Sequence, residues 1–164
     1  MKWRNLVYET VKHLRERYGA EEIESWYLEV WNEPDVEYWE GTLKEYFKLY
    51  DYAVDGAVAA HPRIKIGGPA TTSRGFDFFD RFLAHCDHGE NYATGGKGSR
   101  LDFISFHSKG APWPRTKAER VQPSLKKIIK DLETYREVIS KYPRFAKLPC
   151  FYDECDPSVG TILG

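Results

Sequence analysis

The sequence predicts an α/β fold built on a parallel sheet. Four short apolar runs typical of strands begin near residues 26, 64, 102 and 149, at intervals of roughly 40 residues, and helical patterns lie between them. With 164 residues, of which 41% are hydrophobic, the chain can form one core, whereas a complete (β/α)8 barrel needs about 250 residues. A doubly wound open sheet and half of a barrel both fit this alternation.

The first half of the chain predicts two helices, each followed by a strand. Residues 3–18 place apolar side chains at spacings of three and four, and the pattern ends at Gly19, a residue that favours helix C-termini because it tolerates positive φ. The apolar run 26–31 is the first predicted strand. A second helix is predicted over about 43–61, and it leads into the second strand at 64–67.

The second half repeats this order. Residues 76–86 predict a short helix, and the polar, Gly-rich stretch 87–100 predicts a surface loop. The third and fourth strands are predicted at 101–107 and 149–154. Between them lies the clearest helix, with Ser124 placed to cap its start. Its apolar stripe consists of Leu125, Ile128, Leu132, Tyr135, Ile139 and Tyr142.

Charge and hydropathy exclude several kinds of partner. The 24 Lys and Arg against 25 Asp and Glu leave a net charge of -1, so no basic field exists to hold a nucleic acid. No apolar run approaches the roughly 20 residues that cross a bilayer, and an amphipathic pattern follows Met1, so we expect neither membrane contact nor a signal peptide, and the sequence predicts no compartment. Three cysteines cannot all pair, and we interpret Cys86, Cys150 and Cys155 as packing residues or free thiols.

Reactive side chains follow three of the predicted strands. In βα proteins the carboxyl ends of strands converge on one face, and there the sequence places Asn32 and Glu33, then His107 and Lys109, and finally Glu154. Two glutamates on different strands are what glycosidic cleavage requires, because one protonates the departing oxygen while the other attacks or assists at the anomeric carbon. The alternative is that each is an ordinary surface glutamate. The amide of Asn32 favours the first interpretation, since it can bind a sugar hydroxyl.

A second polar cluster competes as a metal site. His85, Asp87, His88 and Glu90 lie together near the end of the third predicted helix. Their spacing matches no established set of ligands. We interpret the cluster as a polar helix terminus, and we expect no metal and no other cofactor.

Several segments resemble a known family. The turn Trp31-Asn32-Glu33-Pro34 after an apolar strand resembles the acid/base motif of the barrel glycoside hydrolases whose two glutamates lie on strands four and seven. The whole chain resembles glycoside hydrolase family 39, and the α-L-iduronidase branch more than the β-xylosidase branch. The resembling segments are Tyr27–Asp35, Ile66–Pro69, His85–Tyr92, Arg100–Ala111 and Tyr152–Gly160.

This resemblance implies a partial (β/α)8 TIM barrel that contains about strands 4 to 7 with their helices. Residues 1–164 would form a single segment of a catalytic barrel, lacking the N-terminal strands and the last strand. The two outer strands would then have unpaired edges, so we expect self-association through them. An unclosed barrel need not hold two glutamates at reaction distance, and a catalytically inactive, carbohydrate-binding fragment is therefore an alternative.

The resemblance also implies roles for individual residues. Glu33 corresponds to the general acid/base and Glu154 to the nucleophile of a retaining enzyme, and a glycoside or oligosaccharide is the implied substrate. The implied substrate-binding residues are Asn32 near the sugar 2-hydroxyl, His107 in the same subsite, and Lys109 and the Gly160 N–H near a uronic acid carboxylate.

The sugar itself stays open at this stage. A buried substrate carboxylate needs a charged partner such as Lys109, which favours an α-L-iduronide or a similar uronoside. However, Thr161 stands where the iduronidase branch has a tryptophan. A β-xyloside is therefore the second candidate.

Overall fold

The computed structural model of the protein describes residues 1–111 and 122–157, along which helices and strands alternate. The strands are β1 (Tyr27–Glu29), β2 (Lys65–Thr71), β3 (Ile104–Lys109) and β4 (Cys150–Asp156). The helices are α1 (Lys2–Tyr18), α2 (Ala20–Glu24), α3 (Leu43–Ala60), α4 (Phe76–His88) and α5 (Leu125–Ser140), and a 3₁₀ turn covers Pro143–Phe145. Within these two described ranges, no helix is long and apolar enough to cross a membrane.

The four strands are parallel, and their order across the sheet is their order along the chain. A doubly wound sheet reverses its strand order at a switch point, whereas a barrel adds each strand on the same side. The sheet is also strongly curled. In a flat sheet β1 and β4 would lie about 14 Å apart, but the ring centroids of Tyr27 on β1 and Phe151 on β4 are 4.7 Å apart. The structure thus confirms the predicted fold class, α/β with a partial (β/α)8 barrel.

The hydrophobic core lies between the outer face of the curled sheet and the helices. Tyr46 of α3 and Phe82 of α4 are fully buried there. The Tyr46 hydroxyl donates to the carbonyl of Val30 at 3.0 Å, which satisfies a backbone acceptor just beyond β1. Helix α1 packs closely on α3, because a Cβ at Gly56 would lie 2.4 Å from the carbonyl oxygen of Arg4. Only glycine fits this crossing without displacing the backbone of α1.

The ends of all four strands differ from the prediction, and β4, predicted at 149–154, spans Cys150–Asp156. The run 26–31 gives a β1 of only 3 residues, because Trp31 adopts a φ of 72°, a left-handed conformation that ends the strand. Strand β2, predicted at 64–67, continues to Thr71, since it has hydrogen-bonding partners on both sides. Strand β3, predicted at 101–107, spans Ile104–Lys109.

The helices require three corrections. The short helix α2 was not predicted. Ser124 precedes α5, but its side chain makes no capping hydrogen bond, and its carbonyl instead accepts from the Ile128 N–H at 3.4 Å. Leu125, which begins the predicted stripe, is 76% exposed, because the buried part of α5 starts only at Asp131.

The three cysteines are free thiols. Cys86 is buried in the core, whereas Cys150 and Cys155 are exposed. Cys86 is therefore both a packing residue and a free thiol, whereas Cys150 and Cys155 are free thiols at the surface.

Candidate active site

The turn after β1 holds Glu33 in a defined position at the carboxyl end of the sheet. Glu33 has a φ of 46°, and its backbone N–H donates to the carbonyl of Ala70 at 2.9 Å. Ala70 itself has a φ of 52°, so Trp31, Glu33 and Ala70 are three non-glycine residues in the left-handed region at adjoining strand ends. Such conformations cost about 1–3 kcal/mol each and persist only where the surroundings enforce them. The backbone of this turn is therefore fixed by its contacts.

Asp35 ties the same turn to the loop after β2. Its Oδ1 accepts the N–H of Thr72 at 2.9 Å, and its Oδ2 accepts the Thr72 hydroxyl at 2.5 Å. A Cβ at Gly75 would lie 2.6 Å from the Asp35 carboxylate, so the loop approaches Asp35 as closely as a glycine permits. These hydrogen bonds thus link the loops that follow β1 and β2 next to Glu33.

His107 is the buried centre of the site. It lies on β3, is 1% exposed, and its Nδ1 is 2.8 Å from Oε1 of Glu33. The same nitrogen lies 3.6 Å from Oε2 of Glu154, and Nε2 on the other side of the ring lies 3.5 Å from Oδ1 of Asp153. One imidazole therefore faces three carboxyl groups that come from two different elements of the barrel.

A bulge in β4 brings two consecutive acids to this imidazole. Along the β3–β4 pair, Phe106 is opposite Tyr152 but His107 is opposite Glu154, so Asp153 is the additional residue. In a regular strand, neighbouring side chains point to opposite faces. The bulge relaxes that alternation, as bulges near functional sites often do. Asp153 and Glu154 both reach the inner face as a result.

The two glutamates predicted to act together do lie together. One carboxylate oxygen of Glu33, one of Glu154 and a ring nitrogen of His107 all lie within 4.8 Å of one another. The two acids reach this distance across the curve of the sheet, since β1 and β4 are separated by two strands. Curling of the sheet is therefore what assembles the site.

Lys109 supplies the cation of the site. Its side chain is almost buried, and its Nζ donates to Oε2 of Glu154 at 2.7 Å and also contacts Asp156. Burial alone would lower the pKa of Lys109, but the hydrogen bonds to Asp156 and Glu154 raise the pKa above its ordinary value. Lys109 is therefore charged at neutral pH, and its hydrogen bond holds the Glu154 carboxylate in place.

Glu29 was not identified from the sequence. It lies on β1 and is exposed to the cleft, yet partial desolvation of its carboxyl group and the neighbouring Asp153 raise the pKa of Glu29 to about 7, against a smaller effect of Ser105. Asp153 and Asp156 were also not assigned roles. A signal for Glu29 exists in the sequence, because it occupies an inward position of a strand whose neighbours Leu28 and Val30 are apolar.

Two predicted residues remain, Asn32 and Gly160. Asn32 is exposed in the turn before Glu33, and with Glu29, Trp31 and Tyr38 it lines an open cleft of about 570 Å³. Asn32 directly precedes Glu33 in the chain, but among the described residues no hydrogen bond joins its side chain to Glu33 or Glu154. Gly160 lies outside the described residues.

The carboxylates and His107 could also be considered as metal ligands. In the described part of the chain, Glu33, His107 and Glu154 are the group whose ligand atoms are close enough to share an ion. However, the Lys109 ammonium already bonds the Glu154 oxygen that such an ion would need, and like charges exclude each other at this distance. His85, from the competing cluster, points into the core and lies 3.0 Å from Asp51. We therefore interpret neither cluster as a metal site.

A parallel barrel segment in which two carboxylates face each other at the strand ends is the arrangement of the barrel glycoside hydrolases. A family model described as glycosyl hydrolases family 39 matches residues 1–162 of the chain. The chain belongs to this family, which confirms the resemblance found in the sequence.

Individual relatives come from both branches of the family. The α-L-iduronidase of Canis lupus familiaris is 33% identical over 98% of this chain and 24% of its own length. The β-xylosidase of Geobacillus stearothermophilus is 31% identical over 98% of this chain and 32% of its own length. Among solved structures, a bacterial orthologue of human α-L-iduronidase superposes with a TM-score of 0.87 at 36% identity, over 96% of this chain and 26% of that one. The chain thus spans about a quarter to a third of the length of these relatives.

Proposed function

We propose that residues 1–164 form the segment of a retaining family 39 glycosidase that carries both catalytic carboxylates, with Glu33 as acid/base and Glu154 as nucleophile. The observation that carries this proposal is that one carboxylate oxygen of Glu33 and one of Glu154 lie within 4.8 Å of each other. Retaining glycosidases separate these groups by about 5–5.5 Å, whereas inverting enzymes separate them by about 6.5–9.5 Å to admit a water molecule. The spacing favours direct attack by Glu154.

The first step breaks the glycosidic bond. An ionised Glu154 attacks the anomeric carbon while a protonated Glu33 gives its proton to the departing oxygen, which leaves as an alcohol. The 2.7 Å hydrogen bond from Lys109 to Glu154 supports the ionised state of the nucleophile. A glycosyl ester on Glu154 is the product of this step.

The second step releases the sugar. Glu33, now ionised, removes a proton from water as the water oxygen attacks the anomeric carbon, and the bond to Glu154 breaks. The sugar departs with its original anomeric configuration. Both carboxyl groups return to their starting protonation states, so the cycle consumes only water and glycoside.

For the substrate, we propose an α-L-iduronide or a similar uronoside. Lys109 is a nearly buried cation beside the nucleophile, and a substrate carboxylate bound there would need such a partner. A β-xyloside is the second candidate, because Lys109 already forms ion pairs with Glu154 and Asp156, which compete with a substrate carboxylate for its charge.

We further propose that the outer edges of β1 and β4, which have no strand partner in the described sheet, promote self-association of the isolated chain.

The experiment uses the chain alone and a chimera in which it replaces the matching segment of the bacterial iduronidase orthologue. Both are assayed with an aryl α-L-iduronide and an aryl β-xyloside, and proton NMR records the anomer released first. We expect retention of configuration, loss of turnover in Glu154→Gln, and unchanged turnover in the control Glu37→Gln, an exposed glutamate of the same loop. Inversion, or full activity of Glu154→Gln, would refute the mechanism. Activity of the chimera but not of the isolated chain would identify the chain as an inactive fragment.

A further inference from the structure

The turn that carries Glu33 is attached at two positions to the end of β2 and the loop after it. The first attachment is the Glu33 N–H, which donates to the Ala70 carbonyl at 2.9 Å. The second is Asp35, whose two carboxylate oxygens accept the N–H and the hydroxyl of Thr72 at 2.9 and 2.5 Å. Pro34, which separates the two, is buried. The backbone of the turn is thus tied to its neighbour on both sides of Pro34.

These attachments hold a conformation that the turn would not adopt by itself. Trp31, Glu33 and Ala70 have φ values of 72°, 46° and 52°, in the left-handed region that non-glycine residues seldom occupy. Such residues persist where the surrounding structure over-determines them, and they cluster at active sites and ligand clamps. Without the attachments Glu33 would relax to an ordinary conformation, which would redirect its side chain away from His107.

The loop after β2 is itself fixed from the outer face of the sheet. Tyr135 of α5 is fully buried, and its hydroxyl donates to the carbonyl of Thr72 at 2.7 Å. The Tyr135 ring stacks on Phe106 of β3 with the ring centroids 4.1 Å apart, which fixes the direction of the hydroxyl. Hydrogen bonds therefore run from Tyr135 through Thr72 to Asp35, two residues beyond Glu33.

We propose that Asp35 and Tyr135 are positioning residues for Glu33. Tyr135 fixes Thr72, and Thr72 fixes Asp35. Asp35 in turn keeps the strained turn from which the Glu33 carboxyl lies 2.8 Å from Nδ1 of His107. Because a misplacement of about 1 Å can cost about 10²-fold in rate, these contacts set the efficiency of the acid/base. That consequence rests on the function proposed above, whereas the hold on the turn is a property of the chain itself.

The first test is amide hydrogen exchange in the isolated chain, followed by NMR. In the unmodified chain the Glu33 and Thr72 amides should exchange at least about 10²-fold more slowly than in an unstructured peptide. Asp35→Ala removes both acceptors and should accelerate exchange at Glu33 about 10-fold or more. Asp35→Asn keeps an oxygen for the Thr72 N–H and should retain most of the protection. An unprotected Glu33 amide in the unmodified chain, or unchanged exchange in Asp35→Ala, would overturn the proposal.

Tyr135→Phe adds a variant that removes only a hydroxyl and has a matched control. The control is Tyr50→Phe, because Tyr50 of α3 is also fully buried and its hydroxyl donates to the carbonyl of Arg100 at 2.9 Å. Each variant loses one hydrogen bond to a backbone carbonyl, so both should lose similar stability. Exchange at Glu33 should be roughly 3–10-fold faster in Tyr135→Phe than in the control. Equal rates in the two would show an effect of overall stability and would overturn the role of Tyr135.

Turnover in the chimera is the second readout. Asp35→Ala should lower kcat/KM about 10²-fold for a phenyl glycoside, and Tyr135→Phe about 10-fold, while the first step with a dinitrophenyl glycoside, whose leaving group needs no proton, should change little. Tyr50→Phe should match the parent on both substrates. Equal losses on both substrates, where Glu33→Gln does distinguish them, would overturn the positioning role. If the glycosidase assays fail while exchange at Glu33 responds as expected, the proposed function is wrong and the hold on the turn stands.

Discussion

Replacing Glu33 with glutamine is the most informative single change, because it removes the transferable carboxyl proton while keeping the size and shape of the side chain. Glutamine can still hydrogen-bond to His107 Nδ1, and the backbone N–H that donates to Ala70 at 2.9 Å is unaffected. The loss in rate should therefore report on acid catalysis and not on a misplaced loop. General acid catalysis contributes roughly 10²–10⁴-fold, which corresponds to about 2.7–5.5 kcal/mol of barrier.

The size of the loss should depend on the leaving group. With a phenyl or alkyl glycoside, whose oxygen must be protonated as it departs, we expect kcat/KM to fall by roughly 10³-fold in Glu33→Gln. With a dinitrophenyl glycoside, whose oxygen departs as a stable anion, the first step should change by less than about 10-fold. Added azide should then accelerate the second step, because this small anion needs no base.

The assay is a series of aryl glycosides of graded leaving-group acidity, measured in the chimera with burst kinetics to separate the two steps. Glu37→Gln, an exposed glutamate of the same loop, is the control and should match the parent on every substrate. An equal loss on all leaving groups would refute the role of Glu33 as acid/base.

Three further predictions concern specificity, packing and pH. Lys109→Met should lower kcat/KM for an aryl uronide at least 10²-fold more than for an aryl xyloside, because it removes the cation that a bound carboxylate would face; equal losses on both would show that Lys109 serves only Glu154. Gly56→Ala should lower the free energy of unfolding by about 1–3 kcal/mol, since its Cβ would overlap the backbone of Arg4. Denaturant titration measures this loss, Gly96→Ala is the control at an open position, and equal stability of the two variants would contradict the packing argument. The folded pKa of Glu29, about 7, lies above its ordinary 4.5, so the folded state binds more protons in this window and the free energy of unfolding should fall as pH rises through it. Glu29→Gln should flatten that dependence in thermal melts taken between those pH values, and an unchanged slope would contradict it.

The sequence predicts the order of the elements better than their ends. Periodicity identified all four strands and the longer helices of the described chain, because these patterns arise from burial on one face. The ends depend on contacts that are distant in sequence. Strand β1 stops where Trp31 turns left-handed, and β2 continues because strands flank it on both sides. Ser124 fits a capping pattern, yet its hydroxyl makes no cap.

The proximity of the candidate residues was predictable wherever they follow strand ends in the regular way. Glu33, His107, Lys109 and Glu154 were found by that rule, and the structure places them in one network. Asp153 was not given a role, because a bulge in β4 cannot be recognised from its local sequence and ordinary alternation would point Asp153 and Glu154 to opposite faces. The positions of Asp153 and Glu154 next to His107 become evident only in the curled sheet.

The bulge in β4 has an electrostatic consequence for how a substrate arrives. By adding Asp153 beside Glu154 and Asp156, it gives the described residues at the carboxyl ends of β3 and β4 an acidic excess over the ammonium of Lys109. An anionic sugar would therefore approach against a repulsive field, and a neutral one would not. Raising the ionic strength screens that field. Association of a uronide should consequently become faster in salt, while that of a xyloside stays constant.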